Sequence, residues 1–545
     1  MLALCLTAVL HVAALIVMAA TEADRVASVA FLLSWALLNF FWLALVRRPV
    51  VAALLSLELI VALILLSRFK FDKLWMTVDF VDVMIIDRDT SAFLLTIVPS
   101  LLGWLALAAS LTAALLIATW RLDPRRVRVR TSLIGGALSL TALVGLSLTF
   151  PTGLQEDFIS QNYVSKFART GVEAVHELAT HGFLESDARA AGSLAPPTVC
   201  QPARKLPHII LLHDESSFDI TAAPGIKVPA GYQHYFKSLD GKARKLIVEG
   251  VGGPSWFTEY NVLTGLSVRS YGRFATSVTR IAAEHLNRSL PLSLSHCGYK
   301  NFSLYPFYGA FLGSRAFQTS VGIANYLDMV DLGTPDFEAD SFYFNQAIKI
   351  IERERRSGPL FLYVYTVANH FPWDTRLRPE LTPSRHDLGN APDVEEYIRR
   401  QGMTAQDYSA LLARLTQEFP AESFLIVRYG DHQPQFSPGI IDPSIGKAEL
   451  ARRLSALDPR YLTTYYAIDA VNFTTADLSS ALDTLDAAYL PLVMQEAAGV
   501  PLDPGFSKQK EILQRCHGQF YRCADGAEAR RFNRLLIDAG SVKGL

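Results

Sequence analysis

Charged residues are scarce in this chain. Asp, Glu, Lys and Arg together make up 19% of its 545 residues, against 50% hydrophobic residues. That balance excludes an ordinary water-soluble globular protein of this size. There is no excess of charge of either sign, because 51 Lys and Arg face 52 Asp and Glu for a net charge of −1. Without a basic field the chain has no general attraction for nucleic acid, which is excluded as a partner. Glycine and proline, at 33 and 27 residues, are not enriched, so collagen-like and low-complexity architectures are ruled out. Five cysteines are too few for a disulfide scaffold. Cys200 with Cys297, and Cys516 with Cys523, are open as pairs in an oxidising compartment, while Cys5 falls in an apolar run.

What is present is a set of long uncharged runs, all in the first third: 1–20, 26–46, 50–67 (interrupted only by Glu58), 91–120 and 131–153. Each is long enough to cross a ~30 Å hydrocarbon core, which takes about 20 helical residues. Buried core helices would be spread along the chain, whereas no comparable run follows residue 153. Five transmembrane helices are therefore expected over 1–153. The first run lacks the basic n-region of a signal peptide and is read as a span. Arg47 and Arg48 follow the second run, and Arg121, Arg125, Arg126, Arg128 and Arg130 follow the fourth. These loops are expected in the cytoplasm and everything after 153 outside it. Trp42 and Trp120, near run ends, suit the membrane interface.

Residues 154–206 read as a juxtamembrane helix (Glu156 to His181) and a linker rich in Ala, Gly, Ser and Pro. From Pro207 to the C-terminus, β-branched and aromatic runs at 208–213, 245–251, 301–305, 360–367 and 424–429 alternate with helical spacing. That alternation predicts an α/β domain with a largely parallel sheet. Ligands bind such sheets beyond the carboxyl ends of the strands. Here the first run leads to Asp214 and Glu215, and the second to Gly252, Gly253, Pro254 and Ser255. The fourth leads to Asn369 and His370, and the last to Asp431 and His432. Any one of these residues is ordinary turn chemistry. Together, two carboxylates, an imidazole and a hydroxyl form a ligand set for one divalent cation. A cation there would also make Ser255 a competent nucleophile, and the glycines leave room for a tetrahedral anion.

In this order, HIILLHDESSFD (208–219), GGPSWFTEYNVLTGL (252–266), NHFPW (369–373) and YGDHQP (429–434) resemble the membrane-anchored phosphoglycerol transferases. These are the lipoteichoic acid synthase and periplasmic glucan phosphoglycerol transferase type, within the alkaline phosphatase and sulfatase superfamily. The resemblance implies a helical membrane domain followed by an extracytoplasmic sulfatase-like domain at 207–545. It implies Glu215, Ser255, Asp431 and His432 as metal ligands, with Ser255 also the nucleophile, and His370 and Arg315 as substrate-binding residues. The implied cofactor is one divalent cation, manganese first, with magnesium or zinc as alternatives. The implied partners are an anionic phospholipid donor, a glycan or lipid acceptor, and the bacterial inner membrane with the catalytic domain in the periplasm. Ser255 stands where relatives commonly carry threonine, and Gln433 where they often carry glycine; Thr258 is the other hydroxyl in the segment. The Cys/Ser-x-Pro-x-Arg motif of formylglycine sulfatases is absent after the second strand. A phosphoethanolamine transferase or a phosphodiesterase is the alternative enzyme reading, and a non-catalytic membrane scaffold the alternative class.

The arginine asymmetry predicts that a reporter joined after Leu545 is active only outside the cytoplasm. Cytoplasmic activity of that fusion would overturn the five-span arrangement.

Overall fold

The computed structural model describes residues 2–74, 76–153, 156, 160–189, 192–196, 199–382 and 388–544. The chain divides into two compact units, Met1–Gly182 and Phe183–Leu545.

In the first unit five helices are long and apolar enough to cross a membrane: α1 (Leu2–Thr21), α2 (Arg25–Val46), α3 (Pro49–Leu74), α6 (Leu101–Leu122) and α7 (Val129–Thr149). Between α3 and α6 lie the short α4 (Phe80–Met84) and α5 (Arg88–Ile97). The run expected as one span over 91–120 is thus two helices, separated at Val98, Pro99 and Ser100. Proline has no N–H to donate and disfavours helical backbone in the residue before it, so the break falls where Pro99 dictates. Asp24 caps α2, its side chain accepting from Ala27 N at 2.8 Å. The α2–α3 loop is fixed by Arg48, whose guanidinium lies 4.1 Å from the Trp120 ring centre and donates to Asp123 O at 2.6 Å.

The expected juxtamembrane helix forms as α8 (Tyr163–His181), shorter at its start than the predicted Glu156 to His181, and its contacts group it with the apolar helices. Its polar face is buried: Ser165 donates to Glu22, and Glu173 accepts from Thr152 N at 2.9 Å and Thr152 Oγ1 at 2.6 Å.

The second unit is built on one eight-stranded sheet: β1 (His208–Asp214), β2 (Arg244–Ile247), β3 (Lys300–Leu304), β4 (Asn325–Leu327), β5 (Leu360–Tyr365), β6 (Phe424–Gly430), β7 (Thr463–Val471) and β8 (Thr484–Asp486). Its order is β4-β3-β5-β1-β6-β7-β2-β8. Neighbouring strands are parallel except that β7 runs antiparallel to β6 and β2. The five expected strands are all present. The second, β2, ends at Ile247 and is shorter than 245–251. Strand β1 is central and buried along its whole length, as its run of Ile and Leu requires in a sheet covered on both faces. Cys200–Cys297 and Cys516–Cys523 are disulfide-bonded.

Beneath the sheet, Arg428 of β6 is buried and paired with Asp469 of β7 at 3.0 Å. It lies against the rings of Tyr408 and Tyr235 at 4.1 and 4.5 Å and donates to Tyr235 O at 2.7 Å. Breaking a buried pair strands its surviving charge, so Asp469→Ala is expected to cost about 3–5 kcal/mol. Lowering of the chemical denaturation midpoint of the full-length chain measures this. A loss under about 1 kcal/mol, the range of exposed pairs, would show that Arg428 is solvated.

Candidate active site

The parallel register sets the site. Asp214 of β1 pairs with Gly430 of β6, so the next residues along, Glu215 and Asp431, emerge side by side at the carboxyl edge. Gly430 has to be glycine: a Cβ there would lie 1.8 Å from Ser217 O. Asp431 Oδ1 accepts from Ser216 N at 2.7 Å and from His432 N at 2.7 Å, which locks both strand exits together. Asp214 points to the opposite face, where Tyr235 and Tyr465 donate to it.

Ser255 opens helix α9 (Ser255–Thr264), all of whose residues are buried. The approach turns at Gly252, with φ of +71° and Gln435 3.1 Å from a would-be Cβ, so no side chain fits. Ser255 Oγ lies 3.0 Å from Glu215 Oε2 and 3.2 Å from His432 Nε2. The Nδ1 of His432 meets Gln433 O at 2.9 Å; as a carbonyl only accepts, Nδ1 carries a proton and Nε2 is the atom turned to Ser255. Thr258, the other hydroxyl of the segment, donates to Asp431 O at 2.6 Å and so braces β6 rather than facing the site.

Glu215, Asp431, His432 and Ser255 are therefore brought together. His432 Nε2 lies 3.4 Å from both Glu215 Oε1 and Asp431 Oδ2. A residue absent from the expected set joins them: the ligand atoms of His213, Glu215 and Asp431 all lie within 4.8 Å of one another. His213 and Glu215 share a face because strand side chains alternate with period two, a signal present in HIILLHDE. His213 Nδ1 is held by the hydroxyls of Tyr363 at 2.8 Å and Tyr429 at 2.7 Å, and its ring stacks on Tyr365 at 3.6 Å. Its Nε2 and Asp431 Oδ2 are 3.1 Å apart, yet both are buried without a hydrogen-bond partner. Buried polar atoms are normally satisfied. Two orphaned ligand atoms converging beside the Glu215 carboxylate and a second imidazole fit a divalent cation.

Of the substrate-binding pair, His370 sits partly exposed after β5, Nδ1 2.7 Å from Phe371 O, its ring 4.3 Å from that of Phe371 and 4.9 Å from that of Phe337. Arg315 is not brought to the cluster by any contact among the described residues. Its guanidinium is committed to Asp328 at 2.8 Å and Asp331 at 2.6 Å.

The electrostatics tie the charges together. Burial would lower the His432 pKa, but Asp431 and Glu215 outweigh it and push it up to about 9. Burial would raise Glu215, yet the hydrogen bond and charge of His432 hold it below the usual carboxylate range. Glu259, one turn further along α9, has only Gln318 to offset burial and is pushed up to about 8.

A cation needs neutral imidazole. Loading the metal-free protein below pH 9 is therefore expected to expel a proton, and apparent affinity to fall about tenfold per pH unit as pH drops. Titration calorimetry at pH 7 in two buffers of different ionisation enthalpy measures the release. Identical heats would remove His432 from the ligand set, and full metal occupancy in Asp431→Ala would remove Asp431.

Residues 257–458 match the family model described as Sulfatase. That stretch takes in Arg315, His370, Asp431 and His432, and begins just after Ser255. An uncharacterised protein of Haemophilus influenzae is 22% identical over 281 residues, covering 49% of this chain and 48% of the relative. The chain thus spans about half the length of that curated relative. Among solved structures, the Streptococcus pyogenes phosphoglycerol transferase GacH in complex with sn-glycerol-1-phosphate is similar at 16% identity. That likeness covers 65% of this chain and 97% of that one, with a TM-score of 0.49. Lipooligosaccharide phosphoethanolamine transferase A from Neisseria meningitidis is similar at 13% identity over 87% of this chain and 95% of that one, with a TM-score of 0.47. The stretch that matches the Sulfatase model lies in the α/β unit, whose sheet carries the buried cluster of carboxylates and imidazoles at its carboxyl edge.

Proposed function

We propose that the protein is a phosphotransferase of the bacterial inner membrane. In this reading it moves the head group of an anionic phospholipid, phosphoglycerol in the first instance, to a hydroxyl of a cell-envelope glycan or lipid in the periplasm. The observation that carries the reading is the setting of Ser255 Oγ, at a helix start, 3.0 Å from Glu215 Oε2 and 3.2 Å from His432 Nε2. A structural serine at a helix start caps its own backbone; this one faces a carboxylate and an imidazole on other elements.

Glu215, Asp431, His432 and Ser255, with His213 beside them, would hold one divalent cation, for which manganese is put first. When bound, the cation lowers the pKa of the hydroxyl and offsets charge on the phosphoryl oxygens. The remaining work belongs to the chain. Ser255 Oγ attacks phosphorus, forming an Oγ–P bond as the P–O bond to diacylglycerol breaks, and the hydroxyl proton ends on the departing diacylglycerol oxygen. Glu215 Oε2 accepts from the Ser255 hydroxyl at 3.0 Å and fixes its direction. The acceptor hydroxyl then attacks the phosphoserine, the Oγ–P bond breaks, and Ser255 regains a proton. His370, with Nδ1 occupied by Phe371 O, presents Nε2 to the head group. Arg315 has no part in these steps, since two carboxylates already neutralise it. The apolar helices suit a donor that never leaves the bilayer.

Ser255→Ala is expected to lower transfer by at least 10³-fold, as loss of a nucleophile does, while Ser255→Thr retains measurable activity. Mass spectrometry of the Ser255 peptide after incubation with phosphatidylglycerol or phosphatidylethanolamine reads the donor directly from the added mass. Turnover by Ser255→Ala at near wild-type rate would make the protein a phosphodiesterase that uses water. Addition of phosphoethanolamine alone would change the head group and keep the mechanism.

A further inference from the structure

His370 is carried by residues 366–375, a stretch with neither helix nor strand to hold it. On one side the stretch borders a cavity of about 370 Å³, lined by His370, Phe371, Pro372 and Thr375 among others, so packing does not fix it from there. Its backbone groups still need partners. They find them on side chains of two neighbouring helices.

Arg400, in the helix Pro392–Glu418, is 3% exposed. A guanidinium carries five N–H donors in a rigid plane, and here all five are spent. Nε donates to Glu396 at 2.7 Å. Nη1 donates to Ala368 O at 3.4 Å and His370 O at 2.6 Å, and Nη2 donates to Pro372 O and Thr375 O, both at 2.7 Å. Four carbonyls, that of His370 among them, thus converge on one cation. Asp340, which opens the helix Asp340–Glu354, takes groups of the opposite kind, the amides of Val367 at 3.3 Å and Ala368 at 3.1 Å. Trp373 Nε1 donates to Asn369 O at 3.0 Å. The stretch is shaped from outside, and Arg400 makes most of its bonds.

The His370 ring follows this backbone, because its Nδ1 is bound to Phe371 O at 2.7 Å and its face lies on the Phe371 ring. Against burial, which would raise it, the Glu215 carboxyl is held down by His432 first and by His370 after it, so the His370 imidazole stands within electrostatic reach of the cluster. Lysine in place of Arg400 keeps the charge but offers three donors at a single point, which cannot span four carbonyls. Its arrival would not strand Glu396, which keeps Arg399 at 2.6 Å and the Leu377 amide at 3.0 Å.

We infer that Arg400 is a positioning residue for the phosphate-bearing ligand: by gathering these carbonyls it sets where His370 stands. The inference rests on the head-group role given to His370 above. The test uses the full-length, manganese-loaded chain in detergent, with glycerol phosphate as the probe and titration calorimetry as the readout. His370→Ala and Arg400→Lys are each expected to raise its Kd about tenfold, the scale of one charge-assisted hydrogen bond. The double variant is expected to go no further than either single one, because the two residues act through one contact. Bound metal is expected to stay unchanged in all three, and Arg414→Gln, further along the same helix and paired with Glu418 at 2.6 Å, to bind as the wild type does. Multiplied effects in the double variant, a wild-type Kd in Arg400→Lys, or loss of its metal would each overturn the proposal. One readout needs no variant: in the wild-type chain the amides of Val367, Ala368 and His370 are expected to be protected from hydrogen exchange together with those of β5, and exchange at the rate of an open loop would overturn it as well. Multiplied effects with Ser255 modified by donor lipid would sink this inference alone. A non-additive cycle with Ser255 left unmodified by either lipid would sink the transferase reading alone, and a wild-type chain that does not bind glycerol phosphate would sink both.

Discussion

The pairing register of two parallel strands governs everything that follows in the α/β unit. Because Asp214 stands opposite Gly430, the first residues beyond each strand are neighbouring carboxylates. A slip of one residue would send Glu215 to the wrong face, since strand side chains alternate. The register is enforced at the strand exits. Gly430 lets its backbone pass Ser217 O, Asp431 Oδ1 takes the Ser216 amide, and Thr258 reaches from α9 to Asp431 O. The Ser255 hydroxyl, the carboxylates and the imidazoles are thus placed by backbone geometry before any ion or substrate arrives, which is how a site becomes preorganised.

The two faces of the central strands share the labour. On one face His213 and Tyr429 point toward the site, with Tyr363 and Tyr365 packed around His213. On the other, Asp214 and Arg428 are enclosed with Tyr235, Tyr408 and Tyr465. Alternation lets one sheet carry a reactive cluster and a structural cluster a single residue apart, each desolvated and neither short-circuiting the other.

Much of this was legible in the sequence, for physical reasons that can be named. Apolar runs are unambiguous where no water can satisfy the backbone, so five spans were readable; the break at Pro99 was carried by a single residue inside a continuous apolar run. The grouping of Glu215, Asp431 and His432 could be read because they come straight after β1 and β6, and that of Ser255 because a glycine pair precedes it on the way from β2 to α9. His213 was passed over because it lies inside its strand, where an imidazole looks like core, although its spacing from Glu215 already put both on one face. Strand β7, TTYYAIDAV, has clear β propensity but runs against its neighbours, and composition says nothing of direction. Arg315 was drawn in by resemblance alone; Asp328 and Asp331, which claim its guanidinium, lie 13 and 16 residues away in sequence.

The Cys200–Cys297 bond spans 97 residues, and that span contains Glu215 and Ser255. Closing a ring of about 100 residues removes up to ~4.7 kcal/mol of unfolded-state entropy in the chain-entropy account, comparable with the whole stability of a modest domain. Such bonds form in oxidising compartments and are rare in the cytosol. The part of the chain that holds Glu215 and Ser255 therefore gains this tie only where thiols are oxidised, so the redox state of its surroundings decides how firmly the cluster is braced, and a copy kept under reducing conditions folds without it.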